Sequence, residues 1–290
     1  MKEKAAGKKR LMLTFYIYKL FGRNAVYLIA FFVSFFTFLS APDLRSYSKK
    51  YLKIISDYTK IKPSLLNQFR HVLSYGITLA DKMIMYSGGF TPDNIIFESG
   101  SDKNILFNDI AKKKGVCFIF PHIGCIEVLQ SFFQNQKAFP ALNVNIFLSR
   151  NQTKIFDSFI QSVKKPMPAK YIVTEDFDIS EIIKLKQNLE EGGIVFIAGD
   201  RLSGISSVRF IEKEMFLHKV KLPKGAFELA KLLETPVYFI SALRQKDGKY
   251  KIYLKKDETA NTAESFIKYM EGTALMHPFQ FYHFYDFFYS

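Results

Sequence analysis

From residue 93 onward, short apolar runs alternate with longer stretches of mixed polarity. The runs lie at 116–121 (VCFIFP), 144–149 (VNIFLS), 170–174 (KYIVT), 194–198 (IVFIA), 236–242 (PVYFISA) and 250–254 (YKIYL). They are short and rich in β-branched or aromatic residues, so they predict strands. Helix-like stretches fill the gaps at about 103–113, 126–136, 152–164, 178–191, 224–234 and 262–275. Strand–helix alternation predicts an α/β fold, with a mostly parallel central sheet flanked by helices. Asp247-Gly248 between the last two runs predicts an antiparallel hairpin at one edge. Upstream, residues 43–90 read as helical, ending at Gly88-Gly89, and a turn follows at Thr91-Pro92-Asp93-Asn94.

The N-terminal pattern differs. A basic cluster (Lys2, Lys4, Lys8, Lys9, Arg10) precedes an apolar segment interrupted only by Lys19 and Arg23. Ala25 to Ala41 carries no charge, and its 17 residues sit at the lower limit for crossing a bilayer. Its phenylalanines cover more than one helical face, unlike a simple soluble amphipathic helix. Three readings compete: a cleaved signal peptide, whose cleavage site is poor because Pro42 follows Ser40-Ala41, a single spanning helix, and a monotopic hairpin broken near Gly22-Arg23-Asn24. Lys49, Lys50, Lys53, Lys60 and Lys62 make the second flank basic too, which favours the hairpin or an interfacial lie. The chain thus divides into a basic N-terminus and membrane-anchoring helix or hairpin over 1–42, and one catalytic domain over 43–290.

Composition narrows the function. Of 290 residues, 48% are hydrophobic and 23% charged, enough to bury a core and to exclude wholesale disorder. The net charge of +14 calls for an anionic partner: a membrane surface, an acidic protein or nucleic acid. No nucleic-acid-binding module is recognisable, so a nucleic-acid partner is not expected. Cys117 and Cys125 are too few and wrongly spaced for a zinc site or a disulfide framework. There is no Walker-type phosphate loop and no Gly-x-Ser-x-Gly elbow.

Three strand ends carry the remaining chemistry. His122 follows the 116–121 run, and Glu127, five residues on, opens the next helix. A carboxylate there can orient the imidazole as a base. Asp200 and Arg201 follow the 194–198 run, and Arg150 follows the 144–149 run. The carboxyl ends of parallel strands are where such sheets hold ligands. A base beside guanidinium groups suits a substrate with anionic or carbonyl groups.

Taken in order, these segments resemble the bacterial lysophospholipid acyltransferase superfamily, in its lipid A biosynthesis (lauroyl/myristoyl) acyltransferase-like branch. His122–Glu127 resembles the family's His-x4-Asp/Glu motif, and VFIAGDR its second block, at Asp200 and Arg201. FLHKVKLPKGAFELAKLLETPVYF resembles the following block, and HPFQFYHFYDFF the closing His-Pro-x-Gln segment. The resemblance covers about residues 10–290. It implies a fold like that of glycerol-3-phosphate and lysophospholipid acyltransferases. It implies that His122, oriented by Glu127, deprotonates an acceptor hydroxyl, which attacks the thioester of acyl carrier protein or acyl-CoA. Arg150, Asp200 and Arg201 would bind substrate, and no metal or cofactor is required. The acceptor would be a lipid A precursor or another membrane lipid or glycolipid, at the cytoplasmic face of the bacterial inner membrane. His218 stands where the family often has Gly, which motivates a second reading, a catalytically silent membrane scaffold of the same fold.

Overall fold

The N-terminal apolar segment forms one long helix, α1 (Lys8–Ser40), that departs from helical geometry at Gly22 (φ 75°, ψ −171°), inside the expected break. The computed structural model describes residues 8–129, 142–148, 169–174, 177–202 and 209–289. Pro42 then starts α2 (Pro42–Ile55), and Ser64 caps α3 (Leu65–Tyr86) by accepting from the Asn67 N–H. Helix α1 packs on α3 through Phe31, Phe35 and Phe38, which all meet Phe69 edge-on. The opposite side of α1 is bare. Leu20, Phe21, Leu28, Phe32, Val33 and Phe36 are all at least half exposed. Leu13–Ser40 is long and apolar enough to anchor the chain in a membrane.

The rest of the described chain alternates as expected. In order come β1 (Ile95–Phe97), α4 (Lys103–Ala111), β2 (Val116–Phe120), β3 (Val144–Leu148), β4 (Ala169–Val173), α5 (Ile179–Glu190) and β5 (Ile194–Ala198). Then follow β6 (Phe210–Met215), β7 (His218–Pro223), α6 (Lys224–Leu233), β8 (Val237–Arg244), β9 (Tyr250–Lys256), α7 (Thr262–Met276) and β10 (Phe288–Tyr289). The main sheet has the order β1-β9-β8-β2-β5-β3-β4. Strands β8, β2, β5, β3 and β4 run parallel, and β9 turns back against β8 through the expected Asp247-Gly248 hairpin.

Strand β2 explains why its run is apolar throughout. All five residues are buried, because both sheet faces are covered. Cys117 and Ile119 join the core beneath α5, α6 and α7, and Val116, Phe118 and Phe120 join the core beneath α3 and α4. Phe118 stacks on Phe196 of β5 at 4.8 Å.

Sequence periodicity missed two parts. Strand β1 is three residues long and pairs in parallel with β9. Strands β6, β7 and β10 form a separate antiparallel sheet. The β6–β7 turn lacks a glycine, and Phe216 and Leu217 adopt φ of 53° and 60° instead. The expected helix over 152–164 lies outside the described residues, as does most of that over 126–136.

Candidate active site

Strands β2 and β5 are parallel neighbours paired from Val116↔Ile194 to Phe120↔Ala198. The chain leaves β2 toward β3 on one side, and leaves β5 toward β8 on the other. The crevice beyond such a reversal is where open α/β sheets place ligands. His122 and Asp200 each lie two residues past the last paired position, so the register sets them side by side. Gly199 closes the gap, its N–H donating to the Phe120 carbonyl at 3.0 Å.

The contact is close. His122 Nδ1 lies 2.7 Å from Asp200 Oδ1, and the His122 backbone N–H donates to Asp200 Oδ2. The carboxylate has no solvent exposure, whereas the His122 side chain is 26% exposed. Burial alone would raise the Asp200 carboxyl, but the neighbouring imidazoles of His122 and His283 outweigh it and hold the group well below the usual carboxylate range. An ionised Asp200 accepts the Nδ1–H. Among the described residues, His122 Nε2 has no hydrogen-bond partner, so its lone pair is available to a proton donor.

Glu127 corrects the expectation. It was expected to orient His122, but it pairs instead with Lys82 of α3 and accepts from Cys125 Sγ at 3.5 Å. The cause is the turn after His122. Gly124 has a φ of 76°, and a Cβ there would stand 2.1 Å from the Ala242 carbonyl oxygen. The Cys125 N–H donates to that same carbonyl at 2.8 Å. The turn is thereby pinned to β8, and Glu127 faces Lys82 of α3. Burial would raise the Glu127 carboxyl, but the Lys82 ammonium and its hydrogen bond bring it below its ordinary value.

Arg201 sits beside the dyad, its guanidinium 5.6 Å from the Tyr285 ring centroid. Arg150 lies outside the described residues. His218 is exposed at the start of β7, with its ring 6.2 Å from that of Phe288. Among the described residues, no cluster of His, Cys, Asp and Glu could hold a metal ion.

The C-terminal segment completes the site, which the strand-end reading did not foresee. Ile123 pairs with Phe281, the Tyr282 N–H donates to the His122 carbonyl at 3.0 Å, and the Gly124 N–H donates to the Gln280 carbonyl at 2.9 Å. Gln280 is itself clamped, accepting from the Arg244 N–H and donating to the Arg244 carbonyl. His71 of α3 holds the Phe281 carbonyl at 2.6 Å and Ser48 Oγ at 3.0 Å. These contacts bring His283 against Asp200. The HPFQFYH segment stood out only through the resemblance, since its partners His122, Ile123 and Gly124 lie more than 150 residues away.

Neither the protein-family models nor the curated proteins compared with this chain match it.

Proposed function

We propose that this chain is a membrane-associated O-acyltransferase in which His122, oriented by Asp200 rather than Glu127, acts as general base. The observation that carries the reading is the buried Asp200 carboxylate on Nδ1, with Nε2 unpartnered at the carboxyl edge of the sheet. A carboxylate so placed fixes the ring, selects the Nδ1–H tautomer and stabilises the imidazolium that forms.

The chemistry follows from that arrangement. Nε2 takes the proton of an acceptor hydroxyl as its oxygen attacks the thioester carbonyl. The tetrahedral intermediate collapses with breakage of the C–S bond, and the imidazolium returns the proton to the leaving thiolate. Arg201 supplies positive charge for the acceptor or for the developing oxyanion, and Arg150 is proposed to share this task. Positioned proton transfer contributes roughly 10²–10⁴-fold, and alignment of the two substrates contributes much of the rest.

Partners follow from charge and surface. Acyl carrier protein is acidic and coenzyme A is polyanionic, and either would be drawn to a chain of net charge +14. The bare apolar side of α1 suits the membrane that holds a lipid A precursor, another lipid or a glycolipid as acceptor. Because acyl thioesters are cytoplasmic, the reading places the domain at the cytoplasmic face of the bacterial inner membrane. Lipid mass spectrometry of cells with the gene, without it, and with His122→Ala tests this directly. A lipid heavier by one acyl group only with the wild-type gene is expected. Identical lipid profiles in all three strains would refute the reading.

A further inference from the structure

His283 is fully buried, its ring 4.3 Å from Phe281 in a stack and 4.1 Å from Phe287. A phenylalanine would fill that space without leaving polar atoms in an aromatic core. Among the described residues, neither ring nitrogen has an in-line hydrogen-bond partner. Each such orphan costs about 1–3 kcal/mol, so packing alone does not account for an imidazole here. What the imidazole adds lies on one side. Its Nε2 stands 2.9 Å from Asp200 Oδ2, the oxygen that also accepts the His122 backbone N–H, while Oδ1 meets the His122 ring.

We propose that His283 is a positioning residue that holds the Asp200 carboxylate toward His122 as a neutral Nε2–H tautomer. This rests on the reading of His122 as general base. The tautomer follows from the surroundings. Nδ1 is buried with no hydrogen-bond partner among the described residues, so an N–H there would be a stranded donor, whereas an unfilled lone pair costs less. The charged and titratable groups around the ring are Asp200, His122, Arg201, Tyr285 and, from α3, His71. With Arg201 already positive and His122 due to become so, a second imidazolium would compete for the one carboxylate. A neutral donor steadies Oδ2 and leaves the negative charge to pair with His122 when it takes its proton. Without that donor Oδ2 keeps only the His122 backbone N–H, and the carboxylate's charge concentrates on the His122 side.

The 290-residue chain carries five histidines, so ¹⁵N-imidazole spectra of it in detergent can follow each ring. In the wild type, His283 should stay neutral at neutral pH with the proton on Nε2. In His283→Phe, the His122 Nδ1–H proton signal should move as its contact with Asp200 changes, and kcat should fall about tenfold or more with KM for the thioester donor little changed. His283→Gln, whose amide can donate to Oδ2, should restore both toward wild type. A doubly protonated His283 at neutral pH in the wild type would overturn the proposal. So would an unmoved His122 Nδ1–H signal in folded His283→Phe. The spectra need no turnover. A chain that transfers no acyl group would therefore sink the acyltransferase reading while leaving His283 judged on its own.

Discussion

At the scale of single residues, two carboxylates compete for one imidazole, and geometry decides between them. Spacing along the chain nominated Glu127, because local separation is all that a motif expresses. Pairing across strands nominates Asp200, 78 residues away from His122. That choice was legible once β2 and β5 were known to be parallel neighbours in register, and not before. Glu127→Gln should strand Lys82 beside a neutral amide and cost stability, while lowering acyl transfer far less than loss of Asp200 does. Turnover assays on both variants check this, and a larger loss in Glu127→Gln would return the orienting role to Glu127. Gly124 is constrained twice, by its positive φ and by the Ala242 carbonyl. Gly124→Ala should therefore destabilise the protein by about 2 kcal/mol or more, read as a lower denaturant midpoint, and an unchanged midpoint would show that the turn relaxes freely.

At the scale of elements, the sequence was informative where one local signal sufficed. Apolar runs bounded by Pro, Gly or charge became strands β2, β5, β8 and β9, and the Asp247-Gly248 turn became their edge hairpin. It was uninformative where tertiary packing overrides local preference. Strands β6 and β7 carry charged residues among their apolar ones because much of their surface is solvent-facing, so they form no apolar run, and two bulky residues rather than Asn-Gly form their turn. The N-terminal break at Gly22 was legible from Gly-Arg-Asn, but the dense Phe69 contacts between α1 and α3 were not. Since Phe32 and Phe36 lie on the bare side of α1, Phe32→Asp with Phe36→Asp should weaken binding to anionic vesicles. The thermal midpoint should change little, because neither ring is in the core. Undiminished vesicle binding in co-sedimentation would mean that this side of α1 does not meet lipid.

At the scale of the whole molecule, α2, α3 and the C-terminal segment are bolted together by a buried histidine, and this couples stability to pH. Burial pushes the His71 imidazole from 6.5 down to about 4. Between those values the unfolded chain binds a proton that the native ring does not. The stabilisation is therefore complete above about pH 6.5 and is lost as pH falls toward 4, by up to about 3 kcal/mol. Urea midpoints across that range should fall in the wild type and fall less steeply in His71→Gln. Equal slopes would assign the acid sensitivity to other groups.

The same bolts carry Tyr282 to the His122 carbonyl and His283 to Asp200, so the site is assembled by residues from both ends of the chain. The most direct measurement is therefore transfer of a labelled acyl group from acyl carrier protein or coenzyme A to membrane lipid, by wild type and by Asp200→Asn. The wild type should transfer, and Asp200→Asn, folded but with the wrong imidazole tautomer, should be slower by about 10³–10⁴-fold. Wild-type turnover in Asp200→Asn would show that the buried carboxylate does not set His122 for catalysis.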